Sequence, residues 1–253
     1  MANHPNVRLL RVTNNEFAPF TTGEGSSIKF QSNDSDLHGI NRIHLKTSII
    51  PNTQYNINTK NNRLVIVSGD MLEVPALPVG QYNITTYIAA LTTALNIAAV
   101  PNTFAVTVDN LTHKLILTKS GGAEFTIAER SLNPMYVVIG QNDEKTSTGL
   151  ILQLDNIYNL SGLRHVYIES FTLGKSLLTG SVKKYSVIAD IPITVPFGYF
   201  QSDTFSEETL NVVYYRGYKN VSNFSINLVD EFGLPLELNG GHFSLVFEIH
   251  SNT

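Results

Sequence analysis

The chain has 253 residues, of which 42% are hydrophobic and 15% charged, with a net charge of −4 and no cysteine. This composition predicts a globular chain with a substantial core and excludes an intrinsically disordered one. The lack of cysteine excludes disulfides and thiolate metal sites, and it is typical of proteins that fold in a reducing compartment.

The charge pattern and the apolar segments argue against nucleic-acid and membrane partners. No Lys/Arg cluster stands out, although a nucleic-acid surface normally needs one to neutralise phosphates. Thr and Asn interrupt the apolar tract around Ile84–Val100, so we expect no membrane span. Met1–Pro5 is polar and lacks the apolar core of a signal peptide. We therefore expect a soluble protein made in the cytoplasm.

The first part of the chain contains short segments rich in strand-forming residues, separated by turn residues. The predicted strands are Val7–Val12, Ser27–Gln31, Ile40–Ile50 and Arg63–Ser68. The third ends at Pro51-Asn52, a natural strand stop.

The middle of the chain has a different pattern. Ile84, Ile88, Leu91 and Leu95 recur at helical spacing, with Tyr87 alongside. Asn83 or Thr85 is the expected N-cap, and Pro101-Asn102 closes the helix.

A hairpin follows this helix. Thr103–Asp109 and His113–Thr118 alternate at period two, and Ala123–Ala128 continues the pattern. We interpret residues 70–140, approximately, as an αβ insertion with its own small core, followed by an exposed connector over Gln141–Thr148.

The last part returns to strands. The predicted strands are Gly149–Leu154, Leu163–Phe171, Val182–Ile191, Thr209–Tyr215, Asn223–Val229 and His242–His250. With Ser27–Gln31 and Ile40–Ile50 they make eight strands outside the insertion, the number that a jelly roll needs. The predicted fold is an all-β, single jelly-roll β-sandwich over residues 1–253 with the inserted helix and hairpin. A β-sandwich of another topology satisfies the same pattern.

Motifs that carry chemistry are incomplete in this sequence. Gly174-Lys175-Ser176 matches half of a phosphate-binding loop, but Glu169 stands where the first glycine is needed. Asp34 and Asp36 resemble the opening of a calcium loop, whose closing Glu position is occupied by Leu45. Both segments are better interpreted as ordinary turns.

Other catalytic and metal patterns are missing as well. There is no Gly-x-Ser-x-Gly elbow. The strand histidines, His44, His165, His242 and His250, lack zinc-site spacing. Adjacent acidic pairs at Asp143-Glu144, Glu207-Glu208 and Asp230-Glu231 are typical of charged turns. We predict no catalytic residue, no cofactor site and no metal site, and we expect that the protein is not an enzyme.

Three segments, in this order, resemble penton (minor capsid) proteins of virophages, polinton-like viruses and related double jelly-roll DNA viruses. Leu77–Leu91 is similar to their proline-glycine-tyrosine turn and amphipathic helix, and Thr103–Gly140 is similar to the hairpin that follows. Ile139-Gly140-Gln141 departs from the usual Leu-Gly-Phe. Phe224–Ile249 resembles their C-terminal end, with matching Asp230, Gly233, Leu238, Asn239 and Gly240.

The resemblance implies a function that the composition does not. It implies a single jelly roll that assembles as a pentamer at the five-fold vertices of an icosahedral virion, next to major capsid proteins. The alternative is a viral attachment or lectin-like β-sandwich binding module, which predicts a concave pocket and a trimer. A hydrolase ranks third, because fold does not determine function.

Overall fold

The computed structural model describes residues 6–14, 25–31, 37–99, 101–179, 182–206, 211–221, 223–231 and 233–251. It divides into two compact units, one formed by Met1–Gln54 with Leu163–Thr253 and the other by Tyr55–Gly162. The elements in chain order are β1 (Asn6–Thr13), β2 (Ser27–Gln31), β3 (Ile40–Pro51), β4 (Val65–Ser68), β5 (Asp70–Glu73), α1 (Ile84–Ala98), β6 (Phe104–Val108), β7 (Lys114–Lys119), β8 (Thr126–Ile127), α2 (Tyr136–Ile139), β9 (Lys145–Thr146), β10 (Ile151–Ile157), β11 (His165–Glu169), β12 (Lys175–Thr179), β13 (Val182–Pro192), β14 (Phe200–Thr204), β15 (Val212–Lys219), β16 (Asn223–Val229) and β17 (Ser244–Ser251).

The first unit contains two five-stranded antiparallel sheets. Sheet I has the order β1-β17-β3-β14, and β15 also pairs with β3. Sheet II has the order β12-β13-β11-β16-β2. The first strand thus lies beside the last, and the second beside the last but one, which is the nested pairing of a jelly roll. The predicted fold class is confirmed.

The core of the first unit lies between these sheets. Alternation along β17 turns Leu245, Phe247 and Ile249 inward, as the sequence predicts. From sheet II, Val166 and Ile168 of β11 join the same cluster. Because alternate side chains of each strand face inward, the remaining side chains lie on the outer side of the sheet.

The second unit has its own core. A four-stranded sheet, β5-β4-β8-β9, and a three-stranded sheet, β10-β7-β6, contribute buried side chains to one cluster with α1. The αβ insertion expected at about 70–140 lies within this unit. In the sequence the unit separates β3 from β11.

Helix α1 follows the predicted apolar stripe. Asn83 is its N-cap: its side chain accepts a hydrogen bond from Thr86 N at 2.9 Å, and Thr86 Oγ1 accepts one from Asn83 N at 3.1 Å. Tyr87, Leu91 and Leu95 are fully buried one turn apart. Since the threonines on this helix weaken its intrinsic propensity, packing of the stripe is what stabilises it.

Two strand assignments differ from the sequence prediction. The predicted strand Gly149–Leu154 corresponds to β10, which pairs with β7 in the second unit rather than joining the jelly roll. Its place in the sandwich is taken by the Val7–Val12 segment, since β1 pairs with β17 along its whole length. Both segments alternate, so only the pairing partner distinguishes them.

Further features differ. The short strands β5, β12 and β14 and the short helix α2 were not predicted, and the expected exposed connector Gln141–Thr148 contains β9 and two buried residues. The start of the predicted strand Thr209–Tyr215 lies outside the described residues. None of the helices in the described part of the chain has the length and apolar character needed to span a bilayer.

Candidate assembly surface

The segments that carry incomplete catalytic or metal-binding motifs do not form such sites in the described part of the chain. Lys175 begins strand β12 rather than a helix, and a Cβ on Gly174 would lie 1.8 Å from Ser186 O. The glycine therefore permits a close approach of two backbones. Asp34 and Asp36 lie outside the described residues. Among the described residues, no group of three or more His, Asp or Glu side chains is placed to hold a metal ion.

The residues that carry the C-terminal resemblance form a closing turn before β17. Asp230 Oδ1 accepts a hydrogen bond from Leu234 N at 2.8 Å, and Gly233 has a φ of 79° that favours glycine. Asn239 and Gly240 also have positive φ, and Asn239 Nδ2 donates to Thr53 O. These residues therefore shape the return of the chain into sheet I.

The outer side of sheet I carries a cluster of charged side chains around one carboxylate. Glu248 Oε1 lies 3.3 Å from Arg42 Nη2 and 2.6 Å from His250 Nε2, while Oε2 lies 3.4 Å from Lys46 Nζ. The side chains of Arg42, Glu248 and His250 are only 13–17% exposed. Burial acts to raise the pKa of Glu248, but the hydrogen bond from His250 and the nearby Lys46 outweigh it, so the pKa lies below its ordinary value.

His44 lies in the same row of β3, between Arg42 and Lys46. It is opposite Glu248 on β17 and opposite Val212 on β15, and its side chain is fully buried. Burial is the main cause that lowers the pKa of His44, and Lys46 and Arg42 act in the same direction against the opposing effect of Glu248. His44 is therefore neutral at pH 7.

Exposed apolar side chains flank this cluster on the same side of the sheet. Leu9 of β1 is opposite Glu248 and is 69% exposed, and Tyr214 of β15 is opposite Arg42 and is 67% exposed. Val7 and Ile49 are exposed as well. We call the outer side of sheet I, formed by Leu9, Arg11, Arg42, Lys46, Tyr214 and Glu248, the sheet I face.

A second mixed surface surrounds α2 in the other unit. Burial, followed by Asp143, Glu144, Glu129 and Asp155, raises the pKa of Tyr136 to about 12. After burial, four nearby carboxylates therefore contribute to the raised pKa of the Tyr136 phenol. Lys145 pairs with Asp155 at 2.6 Å. We group six exposed residues on α2 and in the segments next to it, Glu129, Leu132, Val137, Asp143, Glu144 and Ile157, as the α2 patch.

The arrangement of the two surfaces favours protein binding. Apolar groups interspersed with charged side chains are typical of surfaces that recognise another protein. The sequence contains an indication of the sheet I face. Arg42, His44 and Lys46 occupy every second position of one predicted strand, and Glu248 and His250 do so in another. Only the pairing of β3 with β17 joins the two rows.

The fold is similar to a known capsid component. The crystal structure of the mavirus penton protein matches 98% of this chain and 100% of its own length, with a TM-score of 0.50 and 11% sequence identity. At this identity the likeness concerns the fold. No protein-family model matches the sequence, and no curated protein does either.

Proposed function

We propose that this chain is a structural capsid protein, the penton subunit at the vertices of an icosahedral virus shell. The observation that carries the proposal is the likeness to the mavirus penton protein over nearly the whole chain, second unit included. The three ordered segments Leu77–Leu91, Thr103–Gly140 and Phe224–Ile249 support it from the sequence. The role is mechanical: a jelly roll provides a rigid wedge, and its surfaces contact neighbouring subunits.

The proposed assembly is a ring of five identical chains surrounded by major capsid proteins in the virion, made in the host cytoplasm. A ring requires a heterologous contact, in which two different surfaces of the chain meet. Specific interfaces of ordinary size bury about 800 Å² per partner. The apolar and charged sheet I face supplies a surface of the required kind.

The test is the mass of the purified chain across a concentration series, together with negative-stain images. A ring of five chains of 27.9 kDa each is the expected result. A trimer would favour the attachment or lectin-like alternative. A monomer at every concentration would refute the penton assignment.

A further inference from the structure

We infer that the sheet I face of one copy docks on the α2 patch of a second copy of this chain. The inference rests on the proposed assembly and names the surfaces that meet in it. In this arrangement, a surface of the second unit binds a neighbouring subunit.

The described residues of the sheet I face carry an excess of positive charge. Arg42 and Lys46 share the single carboxylate of Glu248, and Arg11 adds a third cation whose Nε lies 3.3 Å from Ser244 Oγ. Among the described residues of this face, three cations thus stand against one carboxylate, and Arg11 is exposed. A carboxylate from a second copy would therefore meet a surface of net positive charge.

The α2 patch carries a net negative charge. Asp143, Glu144 and Glu129 are exposed. Of the cations nearby, Lys145 is held by Asp155, Lys114 acts on the same Asp155 carboxylate, and Arg130 is exposed. Opposite net charges on two surfaces of the same chain favour a contact between copies and set its orientation.

Both surfaces also carry exposed apolar side chains. Val137, Leu132 and Ile157 are exposed in the α2 patch, and Leu9 and Tyr214 are exposed on the sheet I face. Apolar side chains supply the burial that stabilises a contact, while the charges set its register. Each surface therefore carries both components of an interface.

The size of the sheet I face is consistent with a contact that repeats around a ring. Strand β17 has 8 residues. At about 3.3 Å per residue and about 4.8 Å between strands, four strands give a face of roughly 26 by 14 Å. This is about half of an ordinary interface, so one contact is weak and a closed ring of repeated contacts is strong. Because the two surfaces differ, the contact is heterologous, as a ring requires.

The test uses cysteine cross-linking, because the chain has no cysteine of its own. An affinity-tagged Leu9→Cys copy is mixed with an untagged Val137→Cys copy under mild oxidation. We expect a disulfide-linked pair that contains both copies. The matched control replaces Val137→Cys by Met71→Cys, which is also exposed in the second unit but outside the α2 patch. Linkage that is equal in both mixtures would overturn the inference.

Charge reversal provides the second measurement. Arg11→Glu alone and Asp143→Lys with Glu144→Lys should each weaken assembly at least about tenfold, and the combination should restore it. Lys60→Glu and Glu73→Lys, at exposed positions elsewhere, are the matched controls and should change it less than about twofold.

The outcomes separate the two proposals. A pentamer that forms equally well with every charge variant and shows no selective cross-link overturns the docking and leaves the penton assignment standing. A pentamer whose sheet I face variants lose only their contact with another shell protein overturns the second copy as the occupant. A wild-type chain that stays monomeric overturns both proposals.

Discussion

Replacement of Glu248 by Gln removes the carboxylate that joins the described cluster on sheet I and keeps the shape of the side chain. Arg42, Lys46 and His250 then face one another without the charge that holds them together. Gln also presents an NH₂ group toward side chains that are themselves donors. We expect the variant to fold and to be less stable.

The magnitude follows from the contacts and their burial. A hydrogen bond to a charged group contributes about 1.5–3 kcal/mol when buried, and a fully exposed pair contributes less than about 1 kcal/mol. The side chains around Glu248 are 13–33% exposed, closer to the buried case. Since burial also costs solvation, the expected loss in the free energy of unfolding is about 2 kcal/mol.

Urea unfolding at pH 7, at one low protein concentration, measures this loss without a contribution from assembly. The matched control is Asp155→Asn, which breaks the ion pair with Lys145 in the second unit. That pair is 30–36% exposed, so the expected loss is below about 1 kcal/mol. A loss below about 0.5 kcal/mol for Glu248→Gln would refute the reasoning, because solvation would then cancel the whole cluster.

Three further predictions concern single residues. Burial places the pKa of His44 below 6.5, so its contribution to stability is fully present above pH 6.5 and is lost as the pH falls toward the folded-state pKa. His44→Gln should therefore flatten thermal stability against pH below 6.5, and an unchanged slope would contradict the assignment. Asn83→Ala should cost about 1 kcal/mol in urea unfolding and Asn83→Ser clearly less, since only Ser can cap α1; equal losses would exclude the cap as the cause. Gly140→Ala places a Cβ 2.4 Å from Asn156 O at a φ of 78°, so we expect a loss above about 2 kcal/mol. Gly149→Ala, at a φ of 62° in open space, should cost only about 1 kcal/mol, and an equal loss at the two glycines would show that the clash is unimportant.

Sequence patterns predict those features of the fold that depend only on neighbouring residues. The spacing of Leu91 and Leu95 with a preceding Asn83 predicts α1 and its cap, because both depend on residues within a few turns. The alternation of Phe243–Ile249 predicts which side of β17 is buried. In each case the periodicity is set by the element itself and not by its neighbours.

Local sequence patterns do not determine which distant strands pair with each other in a sheet. β1 and β10 both alternate, yet one pairs with β17, more than 230 residues away, and the other with β7. β14 was missed because Phe200–Thr204 is short and polar and pairs with β3 alone, so its side chains carry little of the core pattern. The same limit hid the cluster around Glu248, whose members come from two distant strands.

Strand β3 connects the stability of the jelly roll with the proposed assembly surface. Its inward residues Ile43 and Leu45 are in the core, and its outward residues Arg42 and Lys46 bind Glu248. Acidification therefore acts on the outward side of a strand whose inward side belongs to the core. Protonation of His44 adds a cation to a surface that already has an excess of them, and it also charges a fully buried ring. The isolated chain should thus lose stability at mildly acidic pH. A bound carboxylate from the α2 patch should offset part of that loss, so an assembled ring is expected to tolerate acid better than its free subunit.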